Sequence, residues 1–348
     1  MKSKMTLIAL ILLSVVGGCI SSPRLYSPSI ESEIPSTPLE ACGEESYYFL
    51  DSAIECLITP EEVETLLPIA DELQEGDIRE DVWKILEWEE DNIRYDFEKA
   101  SLSPAKITTY LTGRVEITGG SKIQSPSETV TLGKGICTDY TVLTIALLFA
   151  MNYTEAYALE INFENSEVGH TAALAKIGGK FFVLDQKPPV MDLGSYYLHW
   201  KKVEGKAISN ATLYRVRWSG GADVEKLAVL YSSDFLNEDH VFTHFDVVRL
   251  TREVVEKIES EFPNLKKDEN LKSGKLIGYS SGKKWTITLP NFAMYYSPEF
   301  HEQFVDYIYS SIKDTPEILA DLRDYRFFWV NAETEGDDLK IELILARK

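Results

Sequence analysis

Glutamine and histidine are scarce: four Gln and five His stand among 348 residues. Any chemistry that needs an imidazole base can therefore draw only on His170, His199, His240, His244 or His301. Few Gln beside many Glu and Lys lean toward a heat-adapted source. Basic residues are in deficit, 35 against 56 acidic ones, for a formal net charge of −21. A field of that sign repels phosphate backbones and anionic surfaces, which excludes nucleic acid as an expected partner. Cysteines number four, too few to build a fold from disulfides. No apolar run reaches the ~20 residues that span a bilayer comfortably. With 44% hydrophobic and 26% charged residues, a disordered chain and a multi-span membrane protein are excluded too.

The chain opens with an address. Lys2 and Lys4 precede the apolar run Thr6 to Val16, and small residues follow, which is the pattern of an export signal. Val16-Gly17-Gly18-Cys19 resembles the lipobox of exported lipoproteins. That resemblance implies cleavage before Cys19, a lipid on its sulfur, and a body held at the cell membrane on the extracellular face. An ordinary signal peptide cut elsewhere, or an uncleaved anchor, is the alternative. Residues 19–41 are rich in Ser and Pro without helical or strand period, so they read as an extended tether. Outside the cell disulfides persist, and Cys42 and Cys56 either pair across a short loop or remain two structural thiols.

The body alternates helix and strand signals. Thr59-Pro60-Glu61-Glu62 starts a helix that should run to about Leu73, and Asp77 with Glu80 starts another. Ser125-Pro126-Ser127-Glu128 opens a short helix before Gly133. Cys137 to Met151 is apolar on nearly every side and predicts a fully buried central helix. Tyr157 to Ile161, His170 to Ile177, Lys180 to Asp185 and Tyr214 to Trp218 predict strands. Gly220-Gly221 reads as a seam, giving a domain over 42–219 and a C-terminal α/β region over 220–348, after a signal at 1–18 and the tether at 19–41. In that region helices are expected over Val247 to Phe262 and Pro298 to Ile312, with strands near Trp285, Phe327 and Lys340.

The residues able to do chemistry cluster. Gly133-Lys134-Gly135-Ile136-Cys137 sets a thiol where a Gly-rich turn enters the buried helix, whose N-terminal end favours thiolate. A thiolate nucleophile needs a base and a group to orient that base. If Gly178-Gly179 is a two-residue hairpin turn, Ile177 opposes Lys180, and His170 and Asp185 share a face as diagonal neighbours. A shift of one residue would send them to opposite faces. Singly, each residue has a plain role: a buried helix-start thiol, a strand histidine, a turn aspartate.

Together they resemble the transglutaminase-like family of papain-like cysteine enzymes. The matching blocks are Gln124 to Thr129, Gly133 to Tyr140, Gly169-His170-Thr171-Ala172 and Val183-Leu184-Asp185, within about residues 80 to 190. With the lipobox, the chain resembles the transglutaminase-like lipoproteins of archaea. The resemblance implies Cys137 as nucleophile, His170 as general base and acid, and Asp185 as the orienting carboxylate. It implies an α+β fold in which the cysteine helix packs on an antiparallel sheet. The chain departs from the pattern in having Thr138 after the cysteine and Thr171-Ala172-Ala173 after the histidine. The Cys137 backbone N–H, or else the Gln124 side chain, is the candidate oxyanion donor.

Weaker constellations remain. His240 and His244 stand four apart among acidic residues, a spacing that fits a metal pair but more readily a solvated or capping pair. His301-Glu302 lacks the second His of the metalloprotease pattern. Asn152 and Asn210 begin glycosylation sequons, and Asn210 is preferred because Asn152 closes a buried helix. Tyr196, Tyr197 and Trp200 are expected to pack in the core. The expected activity is acyl transfer or amide-bond hydrolysis on a peptide or protein, through a thioester on Cys137, with no cofactor and no metal. The alternative is an inactive surface binding module.

Overall fold

In a computed structural model, residues 7–8, 42–102, 105–110, 115–236 and 241–348 are described. They fall into two units, one within residues 16–239 and the other within residues 240–348 together with Leu7–Ile8. The leader and tether, with Cys19, otherwise lie outside the described residues.

In the first unit, local signals set the helix starts. Helices α1 (Leu50–Leu57), α2 (Pro60–Leu73) and α3 (Ile78–Asn92) come first. Thr59 caps α2 by accepting from the Glu62 N–H, and Asp77 caps α3 by accepting from the Arg79 N–H. Helix α4 (Pro126–Leu132) is capped by Ser125 and ends at Gly133, whose φ of 59° lies where a glycine is favoured. Helix α5 (Cys137–Ala150) is buried at all 14 residues, as its all-round apolar sequence requires.

Helix α5 packs on a sheet of β1 (Glu155–Phe163), β2 (His170–Ile177), β3 (Lys180–Leu184), β4 (Met191–Asp192), β5 (Ile208–Trp218) and β6 (Ala222–Leu230). Its spatial order is β6-β5-β1-β2-β3-β4, and every neighbouring pair is antiparallel. Helix α6 (Leu193–Lys202) follows β4 and is capped by Asp192. Arg94–Tyr95 pairs in parallel with Lys134–Gly135, which fixes the chain entering α5. A disulfide joins Cys42 to Cys56.

The expected seam at Gly220-Gly221 is corrected. Strand β6 turns back there and pairs with β5 from Trp218↔Ala222 onward, so the glycines make a hairpin turn inside the first unit. A Gly pair between two strands carries the same signal as a linker, and only the pairing tells them apart.

The second unit is an antiparallel sheet with helices. Strands β7 (Ser281–Leu289), β9 (Asp338–Arg347) and β8 (Phe327–Glu335) pair in that order. Lys266–Lys267 runs parallel to β8 at one edge, and Leu7–Ile8 parallel to β7 at the other. Helix α7 (His244–Glu261) packs against β8 and against α8 (His301–Lys313), and α9 (Pro316–Asp324) follows. Among the described residues, no helix is long and apolar enough to cross a membrane.

Candidate active site

The hairpin between β2 and β3 has the expected register: Ile177 opposes Lys180, and the ladder continues to Ala173↔Leu184. By that register Asp185 would oppose Ala172, but the pair is not formed. Pairing stops at Leu184, and the chain turns through Gln186, whose φ is 64°. Asp185 nevertheless reaches the histidine: His170 Nε2 lies 2.8 Å from Asp185 Oδ2. Tyr196 donates its hydroxyl to the same oxygen at 2.7 Å, and Gln186 Nε2 donates to Oδ1 at 3.2 Å. Burial pushes the Asp185 carboxyl up, but the charge and hydrogen bond of His170 and the Tyr196 hydroxyl outweigh it, so the carboxyl sits below its usual range.

With Nε2–H donating to the carboxylate, Nδ1 of the neutral ring carries the lone pair. That nitrogen is buried and, among the described residues, has no hydrogen-bond partner. The first turn of α5 is tied to the strand beside it. Thr141 Oγ1 donates to the Cys137 carbonyl at 2.8 Å and lies 3.0 Å from Thr171 Oγ1, next to His170. Cys137 and His170 are both fully buried.

Asp139, in the first turn of α5, organises this entrance although sequence reasoning gave it no role. Its carboxylate accepts from the Ile136 N–H at 2.7 Å, from the Gln124 N–H at 2.8 Å, and from Lys99 Nζ at 2.7 and 2.8 Å. One buried group therefore holds the helix start, the Gln124 segment and a lysine together. A Cβ at Gly135 would stand 2.8 Å from the Asp139 Cβ, which explains the glycine before Ile136. Gln124 lies beside Asp139 through its backbone, while its side-chain Oε1 accepts from Thr129 Oγ1 at 3.1 Å. Gln124, Lys99, Tyr47 and Leu57 line a cleft of about 520 Å³.

The aromatic residues expected only to pack also serve the site. Tyr196 holds Asp185, and the Trp200 ring lies 4.8 Å from that of His170. Their helical spacing in a core stretch looked like packing alone. Tyr95 packs against Ile136 and Cys137. Burial pushes the His199 imidazole down to about 4, so it is neutral at pH 7.

The remaining candidates lie elsewhere. His240 is outside the described residues, and His244 begins α7, where Thr243 is the cap. His301 is buried, with Nδ1 2.8 Å from the Tyr296 hydroxyl and Nε2 2.8 Å from Glu253. Of the two sequons, Asn152 is exposed in a left-handed turn after α5, whereas Asn210 is half-buried on β5 and bonded to Asn162. Exposure therefore reverses the expected preference, because the chain turns outward at the helix end.

Residues 64–214 match the transglutaminase-like domain family. A UPF0252 protein of Pyrococcus horikoshii is 33% identical over 301 residues, covering 86% of this chain and 89% of that protein. A UPF0252 protein of Archaeoglobus fulgidus is also 33% identical, over 90% of this chain and 95% of its own. Among solved structures, LapG of Legionella pneumophila covers 52% of this chain and 89% of its own, at 12% identity and a TM-score of 0.28.

Proposed function

Because this chain belongs to the UPF0252 family and carries a transglutaminase-like domain, we propose that it is a cysteine enzyme working through Cys137, His170 and Asp185. One observation carries the reading. The imidazole is bonded to a carboxylate at Nε2 and, among the described residues, leaves Nδ1 without a partner, on the strand that packs against the Cys137 helix. A lone pair held in that way is a general base waiting for a proton.

In the reduced protein, His170 takes the Cys137 proton and the sulfur attacks an amide carbonyl. The C–N bond then breaks as His170 returns the proton to the leaving amine, leaving a thioester. Water, deprotonated by His170, attacks that thioester and regenerates the thiol, completing amide hydrolysis; an amine in its place gives acyl transfer. Hydrolysis is favoured because water is the most available acceptor. The helix N-terminus, with the Cys137 N–H, is aimed to stabilise the oxyanion, and the cleft at Gln124 and Lys99 offers room for a peptide. The reading also places the body on the outer face of the cell membrane, held by a lipid on Cys19.

A second reading, an inactive binding module that keeps the fold, is favoured by the complete burial of Cys137 and His170. The two separate in one experiment. The full chain, reduced in detergent, is incubated with a peptide mixture, and products are read by mass spectrometry. Cleavage or acyl transfer that disappears in Cys137→Ala and His170→Ala, with far-UV circular dichroism unchanged, supports the enzyme. Identical output from wild type and Cys137→Ala supports the module.

A further inference from the structure

One ammonium in the cleft has a hydrogen to spare. Lys99 stands in the helical turn Phe97–Ala100, where Asp96 Oδ1 accepts from its backbone N–H at 3.0 Å. Asp96 is fixed in turn: its own N–H donates to the Gly135 carbonyl at 2.9 Å, and its Oδ2 lies 2.8 Å from Lys134 Nζ. From this base the Lys99 side chain reaches Asp139, with Nζ donating to Oδ1 at 2.8 Å and to Oδ2 at 2.7 Å. An ammonium carries three hydrogens. Two go to Asp139, and among the described residues the third has no partner. The side chain is only 10% exposed, and it lines the cleft with Tyr47, Ile123 and Gln124. A charged donor so enclosed and already oriented is costly to leave without an acceptor.

The cleft meets the entrance of α5 through the same carboxylate. Asp139 also accepts from the Gln124 and Ile136 N–H groups, so Lys99 and Gln124 each stand one hydrogen bond from a residue two positions after Cys137. Burial raises the Asp139 carboxyl, but four donors on its two oxygens hold it as the anion.

We propose that Lys99 is a substrate-binding residue, whose third N–H bonds a neutral amide carbonyl oxygen of a peptide lying in the cleft beside Gln124. The class of acceptor follows from charge. Asp139 already neutralises this ammonium, and Glu128 lines the same cleft, so an incoming carboxylate would meet a cation shared with one anion and a second anion nearby. An amide oxygen brings no charge. Lys122, the other lysine of the cleft, is half-exposed and lies 3.1 Å from Glu44, so water competes for it as it does not for Lys99.

The inference rests on the reading of this cleft as the peptide site beside Cys137, and its test needs no turnover. The reduced full chain, as wild type and as Lys99→Met, is treated with acetyl-trialanyl chloromethyl ketone, a neutral peptide whose chloride the Cys137 sulfur displaces. Iodoacetamide, which has no peptide to place, is run in parallel, and adducts at Cys137 are followed over time by mass spectrometry. The expected result is a peptide rate constant about 10- to 100-fold lower in Lys99→Met, the worth of one hydrogen bond to a charged group, with the iodoacetamide rate unchanged. A merely structural lysine would lower both rates together, because a displaced helix start slows any alkylation of the sulfur. That result, or a peptide rate unmoved in Lys99→Met, overturns the proposal. A Lys99 dependence found only with a triglutamyl ketone makes the ligand a carboxylate and overturns it too. Should Lys99→Met fail to fold, the wild type decides. Three analogues of the ketone, each with one amide replaced by a trans-alkene, remove one carbonyl oxygen at a time; one of them should lose about tenfold, and equal rates for all three overturn the proposal. If His170→Ala leaves both alkylation rates unchanged while Lys99→Met acts as expected, the enzyme reading fails and this one stands.

Discussion

Three side chains converge on the carboxylate of Asp185: His170 and Tyr196 on one oxygen and Gln186 on the other. Asparagine there could turn its amide nitrogen toward His170, disrupting both the tautomer and the orientation of the ring. Asp185→Asn should therefore lower the rate by about 10²–10⁴, the usual worth of an acid–base group, with little change in KM. Tyr196→Phe removes one hydrogen bond to a charged group and should cost about 1.5–3 kcal/mol of stability, read by urea denaturation. Glu89, fully buried on α3 with Oε1 accepting from Thr144 Oγ1 at 2.7 Å, makes a further prediction about stability. Its folded-state pKa lies above the ordinary 4.5, so its contribution is fully present below that pH and is lost as pH rises through about 8. Glu89→Gln should remove up to ~1.4 kcal/mol per pH unit of that decline, the linkage of a single proton. Urea midpoints at pH 5 and pH 8 check it. These residue roles were unevenly legible. His170 and Asp185 could be paired because a Gly-Gly turn fixes register, and register fixes faces. Glu89 could not, because a glutamate on an amphipathic helix reads as solvated until its burial is known.

Among the elements, the entrance to α5 depends on Asp139. Breaking a buried pair leaves the remaining charge uncompensated, so Asp139→Ala should cost about 3–5 kcal/mol and loosen the Gln124 segment. Gly135→Ala should also destabilise, since its Cβ would collide with the same side chain. Thermal denaturation compares the two. The central helix itself was legible from its all-round apolar sequence, with bounds at Cys137 and Ala150 against an expected end at Met151. Lys99 was not, because a lone lysine 40 residues from Asp139 has no local signal of its partner. Tyr196 and Trp200 follow the same logic, since core packing and support of the site demand the same residue types at the same helical spacing.

For the molecule as a whole, charge gives the broadest expectation. At a formal −21, the field disfavours acidic peptides and favours basic ones. If the enzyme reading holds, kcat/KM should be higher for a Lys-rich peptide than for its Glu-rich counterpart, and the ratio should fall toward one as salt rises to about 1 M, where screening acts within about 3 Å. Fold class and transglutaminase-like membership were legible in the sequence, because the motif blocks fall in the helix–hairpin order of that family. The boundary between units was not. Gly220-Gly221 carries turn chemistry that suits a hairpin and a linker equally, and the strand pairing decided for the hairpin.

The most direct measurement is the pH dependence of Cys137 alkylation by iodoacetamide in the reduced full chain, mapped to that residue by mass spectrometry. If His170 draws the proton from Cys137, the alkylation midpoint lies well below the ~8.5 of a free thiol and returns to it or above in His170→Ala. A midpoint at or above ~8.5 in the wild type, unchanged by His170→Ala, contradicts the account.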